Sequence, residues 1–379
     1  MKKLPFKEYH LLQLLELYSS KSLPLDLIIA DYFRANKALG SKDRAFIADT
    51  AYSIIRWKGL LEYLAQNPND WSEALELIQS VDLDKHRFDE NIPIHTRHSF
   101  PKLIFEALVN AYGEERACEL CLLSNTRAPA TIRVNTLKIS RDTLIKQWSN
   151  DYDISPCKFS NTGITFNKKI NFFGLPEFKK GFFEVQDEGS QLLAELVKVT
   201  PGQLVLDYCA GAGGKALAIA PHMQQQGQLF LHDIRENALY EGRKRLKRAG
   251  VQNAQIIKAN SPQLKNLKKK MDWVLVDAPC SGMGTLRRNP DMKWRFDEHT
   301  IPKLVGLQRV IFEKALSYLK PEGYIVYATC SMLQEENQNQ INHFITTYDL
   351  EIAAPPFQSW PTTDGMDGFY AVVLKKKVT

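Results

Sequence analysis

Trp273-Val274-Leu275-Val276-Asp277-Ala278-Pro279-Cys280-Ser281-Gly282-Met283-Gly284 is the stretch whose reading decides the fold. Residues 273–276 read as one short buried strand that ends in a carboxylate, Asp277. Pro279, Cys280 and two glycines then open a loop. In open α/β sheets, ligands sit beyond the carboxyl ends of strands, so Asp277 and Cys280 stand where chemistry is placed. The loop runs on through Arg287, Arg288, Lys293, Trp294 and Arg295. Cations around an indole suit a polyanion whose bases can stack. Taken alone, the same residues also read as a small buried thiol and a turn, and the surrounding chain decides between the two.

Downstream of residue 186, short apolar runs recur at 204–206, 229–231, 255–257, 273–276 and 324–327, and helical sequence separates most of them. This alternation predicts an α/β fold: a Rossmann-like domain with a parallel-rich sheet and helices on both faces. The apolar tail at 369–374 predicts an edge or hairpin strand. Upstream, Leu11, Leu14, Leu15 and Tyr18 fall on one helical stripe, and Leu25, Ile28, Ile29 and Tyr32 repeat the spacing. Ser41 is placed to cap a third helix, and the basic residues Lys42, Arg44, Arg56 and Lys58 around it read as a solvated face or as a face for RNA phosphates. A helix after Pro101 should turn Leu103, Ile104, Ala107 and Leu108 inward and stop at Gly113. Cys118 and Cys121 share an apolar helix face, so their CxxC spacing reads as packing. Strands near 131–135 and 163–166 flank a helix from Arg141 to Trp148. The expected organisation is a helical domain at 1–95, a small α+β segment at 96–185, and the catalytic domain at 186–379.

The first strand of the catalytic domain runs into Asp207-Tyr208-Cys209-Ala210-Gly211-Ala212-Gly213-Gly214-Lys215. Glycines between a strand and a helix let a ligand approach the backbone. The spacing is not the G-x-G-x-x-G of dinucleotide binders. The second strand ends at Asp233, where an acid can take the hydroxyls of a ribose. Cys209 to Lys215 with Asp233 therefore fits a nucleoside cofactor without a pyrophosphate, S-adenosylmethionine rather than NAD. His232 has no other metal ligands paired with it and reads as structural; no metal site is expected.

A second strand ends in a cysteine: Tyr324-Ile-Val-Tyr-Ala-Thr-Cys330-Ser331. Parallel strands share one rim at their carboxyl ends, so Cys280, Cys330 and Asp277 can face the same methyl donor. Carbon 5 of cytosine is a poor nucleophile. Addition of a thiolate at carbon 6, assisted by an acid at N3, turns the ring into an enamine that can take a methyl group. Spacing alone does not say which cysteine attacks.

At these residues the chain resembles the RNA (cytosine-5) methyltransferases of the Nop/Sun family, in particular the bacterial ribosomal RNA branch of the Sun or Fmu type. The resemblance covers most of residues 129–375. Arg133-Val-Asn135 and Val185-Gln-Asp187 are similar to the segments ahead of and leading into the catalytic domain, and Cys209 to Lys215 resembles the cofactor loop. Asp277-Ala-Pro-Cys280 and Ala328-Thr-Cys330 match the two cysteine motifs, and Asp367-Gly-Phe-Tyr370 resembles the start of the closing strand. The resemblance implies that Cys330 is the nucleophile, that Cys280 aids product release, that Asp277 contacts the cytosine or the cofactor, and that Asp233 holds the ribose. It also likens the N-terminal helices to an antitermination-factor-like RNA-binding domain. Two positions depart from the family pattern. The loop has Ala-Gly-Ala-Gly-Gly where Ala-Ala-Pro-Gly-Gly is common, and Asn260 stands where an Asp near the adenine is usual. Asn accepts through its carbonyl and also donates, so cofactor binding is expected to survive with altered strength.

The 379 residues suffice for two or three domains, and 44% apolar residues suffice for real cores. The net charge of +6 is compatible with an anionic partner. Six cysteines in so long a chain do not form a disulfide framework. No signal peptide or apolar run of membrane-spanning length is apparent. The expectation is a cytoplasmic monomer that methylates carbon 5 of a cytosine in 16S ribosomal RNA. The alternatives are the same chemistry on transfer RNA and a non-catalytic RNA-binding assembly protein.

Overall fold

The computed structural model describes residues 4–168 and 170–377. Residues 1–3, 378 and 379, which the expected ranges 1–95 and 186–379 include, lie outside the described residues. The chain forms two compact units. One runs to Arg127 and takes in Thr285–His299; the other comprises Ala128–Gly284 and everything from Thr300.

The first unit is helical: α1 (Phe6–Ser20), α2 (Leu25–Ala35), α3 (Ser41–Arg56), α4 (Lys58–Leu64), α5 (Trp71–Ser80), α6 (Lys102–Tyr112) and α7 (Glu114–Ser124). The expected stripes are buried at Leu11, Leu14, Leu15, Ile28 and Ile29. Ser41 is the first residue of α3 and not its cap. The cap is Gly40, whose N–H is taken by Asp43 at 3.2 Å. Leu103 is 41% exposed, because α6 buries Ile104, Phe105 and Leu108 instead. Cys121 is buried and Cys118 half-buried, both as free thiols.

The segment Thr285–His299 corrects the reading of its basic residues as a loop facing a polyanion. Arg287 and Lys293 are buried. Lys293 Nζ donates to Arg56 O and Asn125 Oδ1, both at 2.8 Å, and stands 4.3 Å from the centroid of the Phe100 ring. Trp294 Nε1 donates to Ile55 O at 2.7 Å. Ile55 and Arg56 end α3, whose last carbonyls have no partner within the helix, and the segment supplies the donors. Asp291 accepts the Leu25 N–H at 3.1 Å and pairs with Arg295 at 2.7 Å. Arg56, read as basic surface, donates to Arg287 O at 2.9 Å.

Burial drives the Lys293 amine well below its ordinary value of 10.5. A depressed pKa makes the folded form hold its proton less firmly than the unfolded chain does, so stability rises with pH. The contribution is complete above 10.5 and is lost as pH falls through the folded value. Lys293→Met should therefore flatten the rise in urea midpoint between neutral pH and the lysine range.

In the second unit a four-stranded antiparallel sheet has the order β2-β3-β1-β4, with β1 (Ala130–Val134), β2 (Ile154–Pro156), β3 (Gly163–Phe166) and β4 (Phe183–Val185). Helix α8 (Arg141–Trp148) buries Leu144 and Trp148. After α9 (Glu188–Ala194) comes the larger sheet, ordered β10-β12-β9-β8-β5-β6-β7, with β11 beside β12. Its parallel members are β5 (Leu204–Asp207), β6 (Gln228–Asp233), β7 (Ala254–Lys258), β8 (Met271–Asp277) and β9 (Leu319–Thr329). β10 (Leu350–Ile352), β11 (Phe357–Ser359) and β12 (Phe369–Lys376) join antiparallel. The helices α10 (Gly214–Ile219), α11 (Glu236–Ala249), α12 (Thr300–Leu316) and α13 (Gln338–Tyr348) complete the Rossmann-like fold. One apolar cluster gathers Val205, Leu231 and Val326, and another gathers Leu206, Phe230 and Tyr327. Neighbours in each strand thus feed opposite faces, so the sheet is buried on both. The tail is a hairpin strand, antiparallel to the preceding β11, but not an edge: β12 lies between β9 and β10, and its residues 369–374 are all buried. Unbroken burial suits an inner strand, and antiparallel pairing lets it enter from the far side.

Candidate active site

β8 and β9 are parallel neighbours, with Asp277 opposite Ala328. Cys280 follows the first strand by three residues and Cys330 the second by one, so both thiols reach the same rim. Their sulfurs are 3.4 Å apart, and the Cys330 N–H approaches the Cys280 sulfur at 3.3 Å. The hydrogen bond with Cys330 and burial raise the Cys280 thiol well above its ordinary value. Cys280 is therefore a thiol, not a thiolate, at neutral pH.

A buried carboxylate that the sequence reading did not single out as a site residue shapes both cysteine loops. Glu336 accepts the Ser281 N–H at 2.9 Å, the Ser281 hydroxyl at 2.5 Å and Gln308 Nε2 at 3.0 Å. Gln308 also donates to Pro279 O at 3.1 Å. Ser281 and Ser331 hydroxyls lie 3.0 Å apart, and Ser331 Oγ accepts the Leu333 N–H at 3.0 Å. The signal in the sequence is a repeated Cys-Ser pair, with nothing to mark Glu336 in the polar run Gln334-Glu335-Glu336-Asn337. Glu336 lies in a 3-10 turn ahead of α13. Gly284 closes the frame, donating to Cys330 O at 2.9 Å and accepting from Gly368 N at 2.8 Å. Glu336→Ala leaves buried donors unpaired and should cost about 3 kcal/mol of unfolding free energy, read by denaturant titration.

The cofactor loop lies on the same rim. Lys215 Nζ pairs with Asp277 at 2.5 Å. Burial alone would lower Lys215, but the charge and hydrogen bond of Asp277, with Cys330 and Asp207, hold it above its ordinary value. Ala210 N donates to His232 O at 2.8 Å, and Ala212 O accepts from Arg245 at 3.0 Å. Gly211 and Gly213 have φ of +54° and +77°, a region that side chains rarely adopt. Asp233 accepts from Gly211 N at 2.8 Å and from Arg235 N at 2.8 Å and Nε at 3.0 Å. Burial would raise Asp233, yet these hydrogen bonds leave it below its ordinary value. Cys209 is half-buried behind the loop, where burial raises its thiol. His232 stacks on Tyr208 with 4.4 Å between centroids and bonds Tyr208 O at 2.7 Å, a structural placement. Asn260 is exposed, two residues past the end of β7.

Of the signature residues in and beside the small sheet, Arg133 braces this loop, and Asn135 and Asp187 tie neighbouring segments together. Arg133 donates to the Gln186 side chain and, at 3.1 Å, to Gly214 O. Asn135 donates to Gly181 O at 2.9 Å and Ala249 O at 2.8 Å. Asp187 accepts from Gly189 N at 2.8 Å and Asp367 N at 3.2 Å.

Residues 194–375 match the family described as 16S rRNA methyltransferase RsmB/F, and residues 100–172 match its ferredoxin-like domain. Ribosomal RNA small subunit methyltransferase B of Pasteurella multocida is 33% identical over 355 residues, 89% of this chain and 76% of that protein. The chain belongs to the RsmB/F methyltransferase family. A probable methyltransferase B of Synechocystis is 30% identical over 308 residues, 76% of this chain and 69% of that one. Among solved structures, a methyltransferase homolog protein from Pyrococcus horikoshii is similar with TM-score 0.65 and 28% identity over 75% of this chain and 97% of that one. PH0851 shares the fold at TM-score 0.83 and 21% identity, over 99% of both chains.

The methyl donor of this methyltransferase is S-adenosylmethionine, and the residues present fit it. Asp207 Oδ1 is buried beside the glycine loop with no hydrogen-bond partner, and a side chain built at Gly214 would meet nothing within 4 Å. Burial and the charge of Asp277 raise Asp207 to about 8, against the pull of Lys215. An acid so destabilised is relieved by a bound cation. Among the described residues no cluster of three metal-ligating side chains occurs, and no helix is long and apolar enough to cross a membrane.

Proposed function

We propose that this methyltransferase modifies carbon 5 of a cytosine in small-subunit ribosomal RNA through a covalent adduct to Cys330. The observation that carries the reading is the pair of sulfurs 3.4 Å apart at the ends of adjacent parallel strands, beside the Lys215–Asp277 pair. Methylation at an oxygen or an exocyclic nitrogen needs no thiol, whereas carbon 5 of cytosine becomes nucleophilic when a thiol adds at carbon 6.

S-adenosylmethionine supplies the electrophilic methyl carbon. Cys330 adds to carbon 6 and makes carbon 5 nucleophilic. Asp277, held by Lys215, contacts the polar edge of the ring and relays the proton that leaves the Cys330 thiol to N3. Cys280, 3.4 Å from the departing sulfur, gives its thiol proton to that sulfur as Cys330 leaves and takes the proton of carbon 5 in exchange. The glycines 211, 213 and 214 admit the donor, and Cys209, Ala210 and Ala212 shape their turn. Asp233 takes the ribose and Asn260 lies on the adenine side. The target base must be swung out of any stack to reach the rim. The helical stretch 1–95 is proposed to bind RNA, and the small sheet within 96–185 supports the 186–379 catalytic part.

The likeness to small-subunit methyltransferases favours ribosomal over transfer RNA as substrate. Small-subunit RNA from a strain lacking the gene, incubated with enzyme and S-adenosylmethionine, should gain one bisulfite-resistant cytosine. Methyl transfer without a bisulfite-resistant cytosine would overturn the carbon 5 assignment.

A further inference from the structure

Helix α11 buries Leu239, Gly242, Leu246 and Ala249 against the sheet. Tyr240, Arg243, Lys244 and Lys247 are spaced i, i+3, i+4, i+7 and form an exposed stripe along its outer flank. Tyr240 is 61% exposed, with Lys244 Nζ 4.3 Å from its ring centroid. Towards the N-terminal end of α11, Tyr240 and Arg243 line a groove of about 350 Å³ together with Ile256 and Lys258 of β7. Towards the C-terminal end, Lys138 Nζ bonds both Lys180 O and Arg248 O at 2.7 Å, so exposed Lys138, Lys179 and Lys180 continue the track.

The carboxylates on this surface do not balance the cations. Buried Glu184 is shared by Arg245 at 3.0 Å and Arg248 at 2.5 Å, Glu241 pairs with Lys244 at 2.9 Å, and Glu236, which also lines the groove, pairs with Lys258 at 2.9 Å. Among the described residues Arg243 and Lys247 have no carboxylate partner. Compensation of the helix dipole accounts only for the last turn, Lys247 and Arg248. Arg243 and Lys244 lie a turn earlier, and the ring of Tyr240 stays 61% exposed beside its contact with Lys244.

We propose that this stripe is a backbone-binding track for RNA, holding phosphates along α11 and stacking one base on Tyr240 at the groove. The track is three strands away from β8, so it anchors nucleotides distant from the target. A helix of 14 residues is about 21 Å long, enough for several consecutive phosphates. The proposal rests on the reading of RNA as the substrate.

The test compares the full-length protein with the triple variant Arg243→Gln/Lys244→Gln/Lys247→Gln, and with Lys268→Gln/Lys269→Gln/Lys270→Gln as a control of equal charge change on an exposed lysine run. RNA affinity is measured across a salt series on small-subunit RNA. The stripe variant should bind at least about 10-fold more weakly at low salt, and its slope of log K against log salt should shrink by about 2. S-adenosylmethionine affinity and melting temperature should stay at wild-type values, and the control should keep the wild-type slope. An unchanged slope in the stripe variant, or an equal loss in the control, overturns the track while methylation by the wild type leaves the substrate reading intact. Failure of the wild type to bind or methylate RNA overturns both.

Discussion

Cys330→Ala is expected to lower methyl transfer at least about 10³-fold while leaving S-adenosylmethionine affinity and RNA affinity near wild type. Without a thiol at this position nothing adds to carbon 6, and carbon 5 stays a poor nucleophile. Cys280 is not a substitute: its sulfur is 3.4 Å away, but burial and its hydrogen bond to Cys330 keep it protonated. The defect should appear in kcat and in single-turnover rates, with equilibrium binding of donor and RNA as the control. Residual turnover within tenfold of wild type would mean that another group activates the ring.

Cys280→Ala is expected to accumulate protein covalently bound to RNA. Addition at Cys330 and methyl transfer do not need the Cys280 sulfur, whereas elimination does, so the sequence of steps stops after the methyl has moved. A band of retarded mobility should appear in denaturing gels, should require S-adenosylmethionine, and should be absent from Cys280→Ala/Cys330→Ala. A slow but adduct-free Cys280→Ala enzyme would reverse the assignment of elimination to this residue. Alanine also removes the sulfur that accepts the Cys330 N–H at 3.3 Å, so Cys280→Ser is the companion variant. It restores an acceptor of similar size without a thiol, and it should form the adduct too.

Much of this site was legible because parallel strands impose it. Asp277 and Cys330 come at the ends of apolar runs whose strand character is plain, and the rule that chemistry sits at carboxyl ends places them on one rim. The glycine loop and Asp233 were legible for the same reason. Glu336 was not. Glu336 stands in a polar run beside a second glutamate, and only the packing of α12 and α13 shows it buried with Ser281 and Gln308. Lys293 and Arg287 misled in the opposite sense. A basic, aromatic stretch reads as surface, yet here its donors complete the end of α3, a demand invisible without the helix it meets. The tail strand was identified, but its place between β9 and β10 depended on partners far away in sequence. The stripe on α11 was present as Arg-Lys-Arg-Leu-Lys-Arg, but the pairing of Arg245 and Arg248 with Glu184, and the solvent exposure of the rest, had to come from the fold.

The most direct test of the central claim is peptide mapping of the adduct formed with RNA carrying 5-fluorocytosine at the target position. Fluorine at carbon 5 cannot leave as a proton does, so the wild-type enzyme should remain attached after methyl transfer. Mass spectrometry should then find the methylated nucleotide on the peptide containing Cys330. Attachment at Cys280, or continued turnover on this RNA with no attachment, would contradict the account.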